Sequence, residues 1–379
     1  LDLWECSVCL SEFRDPQILP RCGHTFCRPC VDQLPDGRCP LCRQTFDRRQ
    51  VCPNFALQQL LLGGAQLGSQ AAGATRMSPA ATIAPRVRNA PAMVDAYCRL
   101  GVAPALGELL TEEDADVALR VYLLDNSGSM SHGDGHVLMP TDRGLFQLYS
   151  DSRWAEVKAL AQHHASWNAE LGVPCEFILL NSPTPESPVN GRDFVRVDKG
   201  DGDGNVHAQC QQLAAFLHRT RPIGGTPLTE RLEQTRLRLL ASASGLRRDG
   251  KKVMLTIVTD GIPNGSRTYF AEALCRLARE LPVAVVVRLC TDDATVVEFY
   301  DRLDRDIELS LDIVDDLQRE AINVYKVNSW LTYTPVLQTI RESGTLSRIF
   351  DMVDERALTP MEVSLCAQLL LRLPGSPQY

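Results

Sequence analysis

The sequence has no long apolar run and no excess of positive charge. No stretch of 18 consecutive apolar residues occurs among the 379, so no transmembrane helix is predicted. Lys and Arg number 39 against 47 Asp and Glu, and the net charge of −8 argues against a bulk electrostatic partner such as nucleic acid. The length favours two or three domains of ordinary globular composition.

Motifs of export and of common enzyme classes are also missing. The first residues, LDLWEC, carry neither the basic nor the apolar segment of a signal peptide, so we expect an intracellular protein, in the cytoplasm first and with the nucleus left open. An initiator Met is lacking too, which leaves open that the chain is a fragment. No GxxxxGK[ST] loop occurs, so a nucleotide-driven motor is not expected, and no Ser-His-Asp arrangement is evident.

Cysteine, in contrast, is abundant and unevenly placed. Seven of the 14 cysteines lie between residues 6 and 42, in CxxC pairs beside a histidine. This pattern is typical of metal ligands in a reducing compartment, not of a secreted disulfide scaffold. Eight ligands make two closed tetrahedral zinc sites, and consecutive pairing would give two separate fingers. The candidate ligands are Cys6, Cys9, Cys22, His24, Cys27, Cys30, Cys39 and Cys42.

Composition divides the chain into four parts. A Cys-rich domain at 1–52 is followed by a short helix and a flexible linker rich in Gly, Ala, Ser and Pro at 53–92. An α/β domain is predicted at 93–300, with its core from about 117. Residues 301–379 are expected to form a mostly helical C-terminal extension.

The α/β domain is predicted from three nearly continuous apolar strands, which end at Asp125, Asp260 and Cys290. Strands without polar alternation are covered on both faces, as in parallel sheets. Because helical stretches separate them, we expect a doubly wound, mainly parallel sheet. Further strands are predicted at 174–181 and 192–197, and helices at about 153–171, 205–219, 227–243 and 267–280.

Oxygen-bearing side chains follow two of these strands. Asp125 ends the first strand, and Ser127 and Ser129 follow it in the sequence DNSGSM, while Asp260 ends another strand in TDG. Thr226, in GGTP, begins a helix between them. Ligands of open parallel sheets bind at the carboxyl ends of the strands, so these loops are expected to meet there. Two carboxylates and three hydroxyls suit one Mg²⁺, or Mn²⁺.

These motifs resemble the von Willebrand factor A (vWA) domain and its metal-ion-dependent adhesion site. All five positions match the family pattern, and the resemblance spans about residues 117–300. It implies that the metal holds an acidic residue of a protein partner. Two alternatives stay open: the side chains only cap a turn and a helix, or the ion only holds the loops together.

The cysteine spacing resembles the RING finger whose ligands run three cysteines, one histidine and four cysteines. That family interleaves its ligands, which implies Cys6, Cys9, Cys27 and Cys30 for the first zinc and Cys22, His24, Cys39 and Cys42 for the second. About fifty residues bury too little surface to fold alone, so zinc, at roughly 10–16 kcal/mol per structural site, must stabilise the domain.

In RING ubiquitin ligases this module binds a ubiquitin-conjugating enzyme. The matching positions are Val8, Leu34, Pro40 and Leu41, with Leu34 standing where several members have Trp. Arg43 matches the "linchpin" arginine, whose planar fork would bond the conjugating enzyme and ubiquitin at once.

The region also resembles the tripartite-motif RING group, in which a flanking helix pairs two RINGs. A RING-mediated dimer therefore stays open, although Cys52 stands where an arginine is common.

Together the two resemblances imply a RING-type E3 ubiquitin-protein ligase, like plant ligases that join a RING to a vWA domain. It would position the ubiquitin-loaded conjugating enzyme without a covalent intermediate of its own, and its vWA domain would recruit a protein substrate. The alternative is a non-catalytic adaptor in which both modules only bind proteins. A metal-dependent enzyme at the oxygen site ranks lowest, because no acid/base pair accompanies the ion.

Overall fold

A computed structural model describes most of the chain, in two units. The described residues are 5–9, 11–19, 22, 24–34, 37–48, 51–53, 89–141, 146–182, 193–200, 205–306, 311–345 and 347–371. The two compact units are Leu1–Ala74 and Thr75–Tyr379. The predicted short helix and nearly all of the predicted linker lie outside the described residues. The expectation of a RING-mediated dimer, which depends on that helix, therefore stays a prediction.

Unit 1 consists of very short elements around a small core. Strands β1 and β2 form one antiparallel pair, and β3 pairs with both β4 and β5. The core contains Leu19, Phe26, Val31 and Phe46 together with buried cysteines. The elements are β1 (Glu5–Cys6), β2 (Ser11–Glu12), β3 (Pro16–Ile18), β4 (Thr25–Cys27), α1 (Arg28–Asp32) and β5 (Cys52–Pro53).

Unit 2 is built on a six-stranded sheet. Its order is β10-β9-β6-β11-β12-β13, and all neighbours are parallel except the antiparallel edge pair β9 and β10. This confirms the predicted mainly parallel sheet. The strands are β6 (Val117–Leu124), β9 (Cys175–Leu179), β10 (Phe194–Val197), β11 (Lys252–Thr259), β12 (Val283–Leu289) and β13 (Leu311–Val314).

Helices cover both faces of this sheet. In β6 the side chains of Leu119, Val121 and Leu123 pack among α6, α8 and α9, while Tyr122 and Leu124 pack against α4 and α5. Both faces of β6 are therefore buried, which explains its nearly continuous apolar sequence, broken only by Arg120, which is itself buried and paired with Asp114. The helices are α2 (Ala90–Arg99), α3 (Pro104–Ala115), α4 (Arg153–Leu171), α5 (Val206–Arg219), α6 (Leu228–Leu240), α7 (Ala243–Arg248), α8 (Arg267–Glu280) and α9 (Ala294–Asp306).

The predicted helical C-terminal extension is also confirmed. Its helices share a third core with α2 and α3, and Glu342 of α11 joins a buried polar network. Glu342 accepts hydrogen bonds from Arg288 Nε of β12 at 2.9 Å and from Gln338 at 2.8 Å, and it pairs with His164 Nε2 of α4 at 2.8 Å. The helices are α10 (Leu317–Val327), α11 (Pro335–Glu342), α12 (Arg348–Asp351) and α13 (Pro360–Leu371).

Two elements were not anticipated from the sequence. A two-stranded antiparallel hairpin, β7 (Gly135–Pro140) and β8 (Phe146–Asp151), stands between β6 and α4. Strand β13 lies within the stretch that was expected to be mostly helical, and it adds an edge to the sheet. Among the described residues, no helix combines the length and apolar character needed to cross a bilayer.

Candidate metal centres

The structure gathers the cysteine-rich ligands of unit 1 into two clusters. One contains Cys6, Cys9, Cys27 and Cys30, and the other contains Cys22, His24, Cys39 and Cys42. Within each cluster the ligand atoms all lie within 4.8 Å of one another. The chain thus interleaves its pairs, because the second cluster takes residues from both sides of the Cys27–Cys30 pair.

The spacing of these atoms fits zinc. With Zn–S at about 2.3 Å, two sulfurs of a tetrahedral site lie about 3.8 Å apart, and a sulfur and an imidazole nitrogen about 3.5 Å apart. Cys9 Sγ and Cys27 Sγ are 3.8 Å apart, and Cys39 Sγ lies 3.5 Å from His24 Nδ1. Each cluster provides four protein ligands, so both sites fit a closed, structural ion and leave no position for a reacting water.

Burial raises the pKa of three of the cluster thiols, Cys22, Cys27 and Cys30, so these resist ionisation without a metal. Desolvation, helped by the neighbouring thiols of Cys9 and Cys6, raises the pKa of Cys30 to about 12. Burial acts in the same direction on Cys6, but backbone N–H groups of Cys27, Cys9 and Val8 lower its pKa to about 7. Zinc binds thiolates, so loading must release protons and weaken as the pH falls.

The positions expected to contact a conjugating enzyme lie around the zinc clusters. Val8 is 41% exposed and Leu41 is 53% exposed, although both are apolar. Pro40 and Arg43 are also exposed, while Leu34 is half-buried against the core of unit 1. Exposed apolar side chains on so small a unit are available for a protein contact.

Backbone contacts hold two of these positions. Arg43 has a φ of 61°, a left-handed conformation, and its N–H donates to the Cys39 carbonyl at 2.8 Å, which closes the last CxxC turn. The Arg48 guanidinium donates to the carbonyls of Asp32, at 3.1 Å, and Leu34. Arg48 thereby fixes the end of α1, a role that the sequence did not indicate, since a surface arginine carries no motif.

In unit 2 the oxygen-bearing side chains meet at the carboxyl end of the sheet. Asp125 Oδ1 accepts from the Ser127 N–H at 2.8 Å, and Asp125 Oδ2 accepts from Thr259 Oγ1 at 2.6 Å. Burial raises the pKa of Asp125 to about 6, even though these donors lower it. Strand β6 lies between β9 and β11, so Asp125 occupies a switch point of the sheet, where ligands bind in such folds.

The other candidate ligands of this site are Ser127, Ser129, Asp260 and Thr226. Ser127 Oγ lies 3.1 Å from Ser129 Oγ, which donates to Asp260 Oδ1 at 2.9 Å. Thr226 approaches from the loop before α6: a Cβ placed on Gly261 would lie 3.3 Å from Thr226 Oγ1. Only oxygen ligands are present in this set, and they fit Mg²⁺ or Mn²⁺ in donor type.

Two charged residues that the sequence did not single out also belong to this site. Arg153, the first residue of α4, donates from Nη1 to Asp260 Oδ2 at 2.7 Å. Its Nε and Nη2 donate to the two carboxylate oxygens of Asp134 at 2.7 and 2.6 Å. Arg153 and Asp260 lie far apart in the sequence, so no spacing pattern could have revealed the pair.

The family model and the sequence relatives described here match residues of unit 1. The family model of the zinc-RING finger domain matches residues 5–44. E3 ubiquitin-protein ligase RNF166 of Mus musculus is 41% identical over 51 residues, which are 13% of this chain and 22% of that protein. E3 ubiquitin-protein ligase TRIM11 of Bos taurus is 40% identical over 60 residues, 14% of this chain and 13% of that protein.

A third relative, E3 ubiquitin-protein ligase TRIM56 of Homo sapiens, is 49% identical over 47 residues, 12% of this chain and 6% of that protein. The chain therefore spans less than a quarter of the length of these relatives. Their likeness concerns the RING region alone.

Among solved structures, the SpRpn10 VWA domain covers 52% of this chain and 87% of its own, at 10% identity and a TM-score of 0.33. The manganese-loaded TRAP protein of Plasmodium vivax covers 53% of this chain and 69% of its own, at 16% identity and a TM-score of 0.32. These superpositions are loose, and the fold of unit 2 is defined by its own strand order.

Proposed function

We propose that the protein is a RING-type E3 ubiquitin ligase that positions a ubiquitin-loaded conjugating enzyme. The observation that carries this proposal is the pair of interleaved, closed zinc clusters in a segment that matches the RING family model. Closed zinc sites offer no reactive position, so such a module acts through its surface. The named relatives that share this segment are ubiquitin ligases.

In the proposed mechanism the exposed apolar residues receive the conjugating enzyme. Val8, Pro40 and Leu41 form the contact, and Leu34 supports it from the edge of the core. Arg43 then bonds the enzyme and ubiquitin together, so that the thioester is held in a reactive orientation. Positioning of this kind lowers the barrier by removing freedom of motion before the reaction. The transferred ubiquitin never becomes attached to this chain.

Unit 2 recruits the substrate in this proposal. Asp125, Ser127, Ser129, Thr226 and Asp260 would hold one Mg²⁺ or Mn²⁺ at the carboxyl edge of the sheet. The ion, when bound, supplies a positive charge with an open coordination position for an acidic side chain of the partner. The five residues supply the ligand oxygens and orient them through the hydrogen bonds between Ser127, Ser129 and Asp260.

Autoubiquitination tests the proposal directly. The zinc-loaded chain is incubated with ubiquitin, activating enzyme and a panel of conjugating enzymes, beside the variants Leu41→Ala, Val8→Ala and Arg43→Ala. We expect chains with the wild type and at least about a tenfold loss in Leu41→Ala and Arg43→Ala, since each removes a contact worth roughly 1.4 kcal/mol or more.

Leu237→Ala is the matched control, because Leu237 is an equally exposed leucine on α6 of unit 2. Its activity should equal that of the wild type. A zinc-loaded wild type that makes no chains with any conjugating enzyme would contradict the ligase and favour the adaptor, in which both units only bind proteins.

A further inference from the structure

We infer that the positive charge of Arg153 competes with the divalent ion for the Asp260 carboxylate. Arg153 thereby lowers the affinity of the oxygen site for the metal. This inference rests on the metal site of the proposed function. Arg153 is a positioning residue in this inference, because it acts on the metal through Asp260 and does not itself contact the protein partner. Asp134 has the opposite effect, because its two hydrogen bonds with the guanidinium weaken the interaction of Arg153 with Asp260.

The guanidinium of Arg153 binds two carboxylates at once. All three nitrogens of Arg153 are engaged, one with Asp260 and two with Asp134. The Asp260 side chain has no exposed surface, whereas the Asp134 side chain is 57% exposed. Asp260 uses its other carboxylate oxygen to accept from Ser129. A metal that needs Asp260 must therefore share this carboxylate with a fixed positive charge.

The location of Arg153 is unfavourable for a purely structural arginine. The side chain sits at the first residue of α4, where the partial positive charge of the helix N-terminus disfavours a cation. It is also nearly buried, with 11% of its side chain exposed. The two carboxylates must offset both the cost of burying the guanidinium and its repulsion by the helix N-terminus. The negative charges of Asp134 and Asp260 therefore hold the arginine in place.

The two carboxylates differ in what they offer the arginine. Asp260 is buried, and its interaction with Arg153 is weakly screened by solvent. Asp134 is exposed, but it accepts a paired, two-pronged contact, the strongest geometry for an arginine. With Asp134 present, the guanidinium is divided between the two acids. Without it, Asp260 is the remaining hydrogen-bonded carboxylate, since the exposed Asp293 interacts with Arg153 only through its charge, and the metal meets a stronger competitor.

Charge arithmetic sets the expected size of the effect. A unit charge roughly 6 Å from a divalent ion, at a dielectric near that of water, changes its affinity by about tenfold. Neutralising Arg153 should therefore tighten metal binding by about that factor. Neutralising Asp134 should weaken binding by about three- to tenfold, and mainly through Arg153, because a direct effect of this exposed charge is screened by salt.

The experiment is a Mn²⁺ titration of the zinc-loaded full chain in 0.15 M salt, with free Mn²⁺ followed by electron paramagnetic resonance. We expect Arg153→Gln to bind about tenfold more tightly than the wild type and Asp134→Asn to bind more weakly. Arg153→Lys keeps the charge and should stay within about threefold. The Mn²⁺ affinity of the double variant Asp134→Asn/Arg153→Gln should lie within about twofold of that of Arg153→Gln alone.

Each result decides the inference. The inference is supported if Arg153→Gln binds Mn²⁺ more tightly than the wild type and the effect of Asp134→Asn disappears in the double variant. It is also supported if Arg153→Gln binds Mn²⁺ and the wild type does not. Unchanged or weaker binding in Arg153→Gln, or an undiminished effect of Asp134→Asn in the double variant, overturns it while the metal site stands. If neither the wild type nor Arg153→Gln binds Mn²⁺, the metal site fails and the inference fails with it.

Discussion

At the scale of single residues, the donor atoms of the two units favour different kinds of cation. In unit 1 the ligand atoms are sulfur and one imidazole nitrogen, at separations that a small tetrahedral ion requires. In unit 2 they are carboxylate and hydroxyl oxygens, which suit a hard ion that keeps water. The same chain can therefore carry two metals without exchanging them, because ligand softness separates thiolate from oxygen sites.

Residues away from these sites stabilise unit 2, and Glu342 gives a pH-dependent test. Burial disfavours its charge, but His164, Arg288 and Gln338 outweigh this and lower the pKa of Glu342 to about 2, from 4.5. A lowered pKa contributes stability above about pH 4.5 that is lost as the pH falls towards 2, by roughly 3 kcal/mol in all. We expect Glu342→Gln to be less stable than the wild type at pH 7 by about that amount.

The measurement is urea unfolding at pH 7 and pH 3, followed by the fluorescence of the buried Trp154 and Trp167. The difference between Glu342→Gln and the wild type should shrink at pH 3. Glu272→Gln, on the exposed face of α8, serves as the control and should change neither value. A Glu342→Gln deficit of the same size at both pH values would contradict the assigned role of this carboxylate.

Among the elements of unit 2, the hairpin β7–β8 adjoins the oxygen site on both sides. It departs directly after the loop that carries Ser127 and Ser129 and returns at the start of α4. Its base is packed tightly: a Cβ on Gly135 would lie 2.7 Å from backbone atoms of Arg153. The hairpin thus sits against the residue that pairs with Asp260, and its base helps to place the guanidinium.

Gly135→Ala tests this packing, because backbone atoms cannot move aside as a flexible side chain can. We expect a loss of roughly 1–3 kcal/mol in the free energy of unfolding and faster amide exchange in β7. Gly133→Ala, two residues earlier in the turn before β7, has nothing within 4 Å of its Cβ and is the matched control. Equal effects of the two substitutions would show that the close approach at Gly135 is unimportant.

Elements of strong periodicity could be predicted from the sequence, and those fixed by tertiary contacts could not. Helix α4, at Arg153–Leu171, and helix α8, at Arg267–Glu280, lie at the predicted positions. The hairpin is not evident from the sequence because β8 is largely exposed, while β7 is short, mostly half-buried and bounded by Gly135 and Pro140. Strand β13 was missed because four residues, LDIV, carry too little pattern to outweigh the acidic, helical stretch around them.

The candidate sites show the same division. Spacing identified the eight candidate ligands of unit 1, because CxxC pairs bring their sulfurs together locally, while their interleaved division into two sites came from the resemblance to the RING family. Asp125, Ser127 and Ser129 were found for the same reason. Arg153 and Asp134 were not, because the pair forms only when the hairpin folds back and α4 begins beside Asp260.

For the whole molecule, we propose that two chemically distinct metal sites organise two protein-binding units. Zinc builds the small unit outright, since its core is too small to fold alone. The larger unit is built on its own six-stranded sheet, and in the proposed function its ion serves recognition. Loss of one metal should therefore leave the other site intact.

Counting metals on the intact chain by native mass spectrometry tests this claim most directly. The wild type in the presence of Mn²⁺ should carry two zinc ions and one manganese. Cys39→Ser should lose zinc and keep manganese, Asp125→Asn should lose only manganese, and Cys98→Ser, at an exposed cysteine outside both clusters, should match the wild type. A wild type with fewer than two zinc ions, or an Asp125→Asn variant that keeps its manganese, would contradict the account.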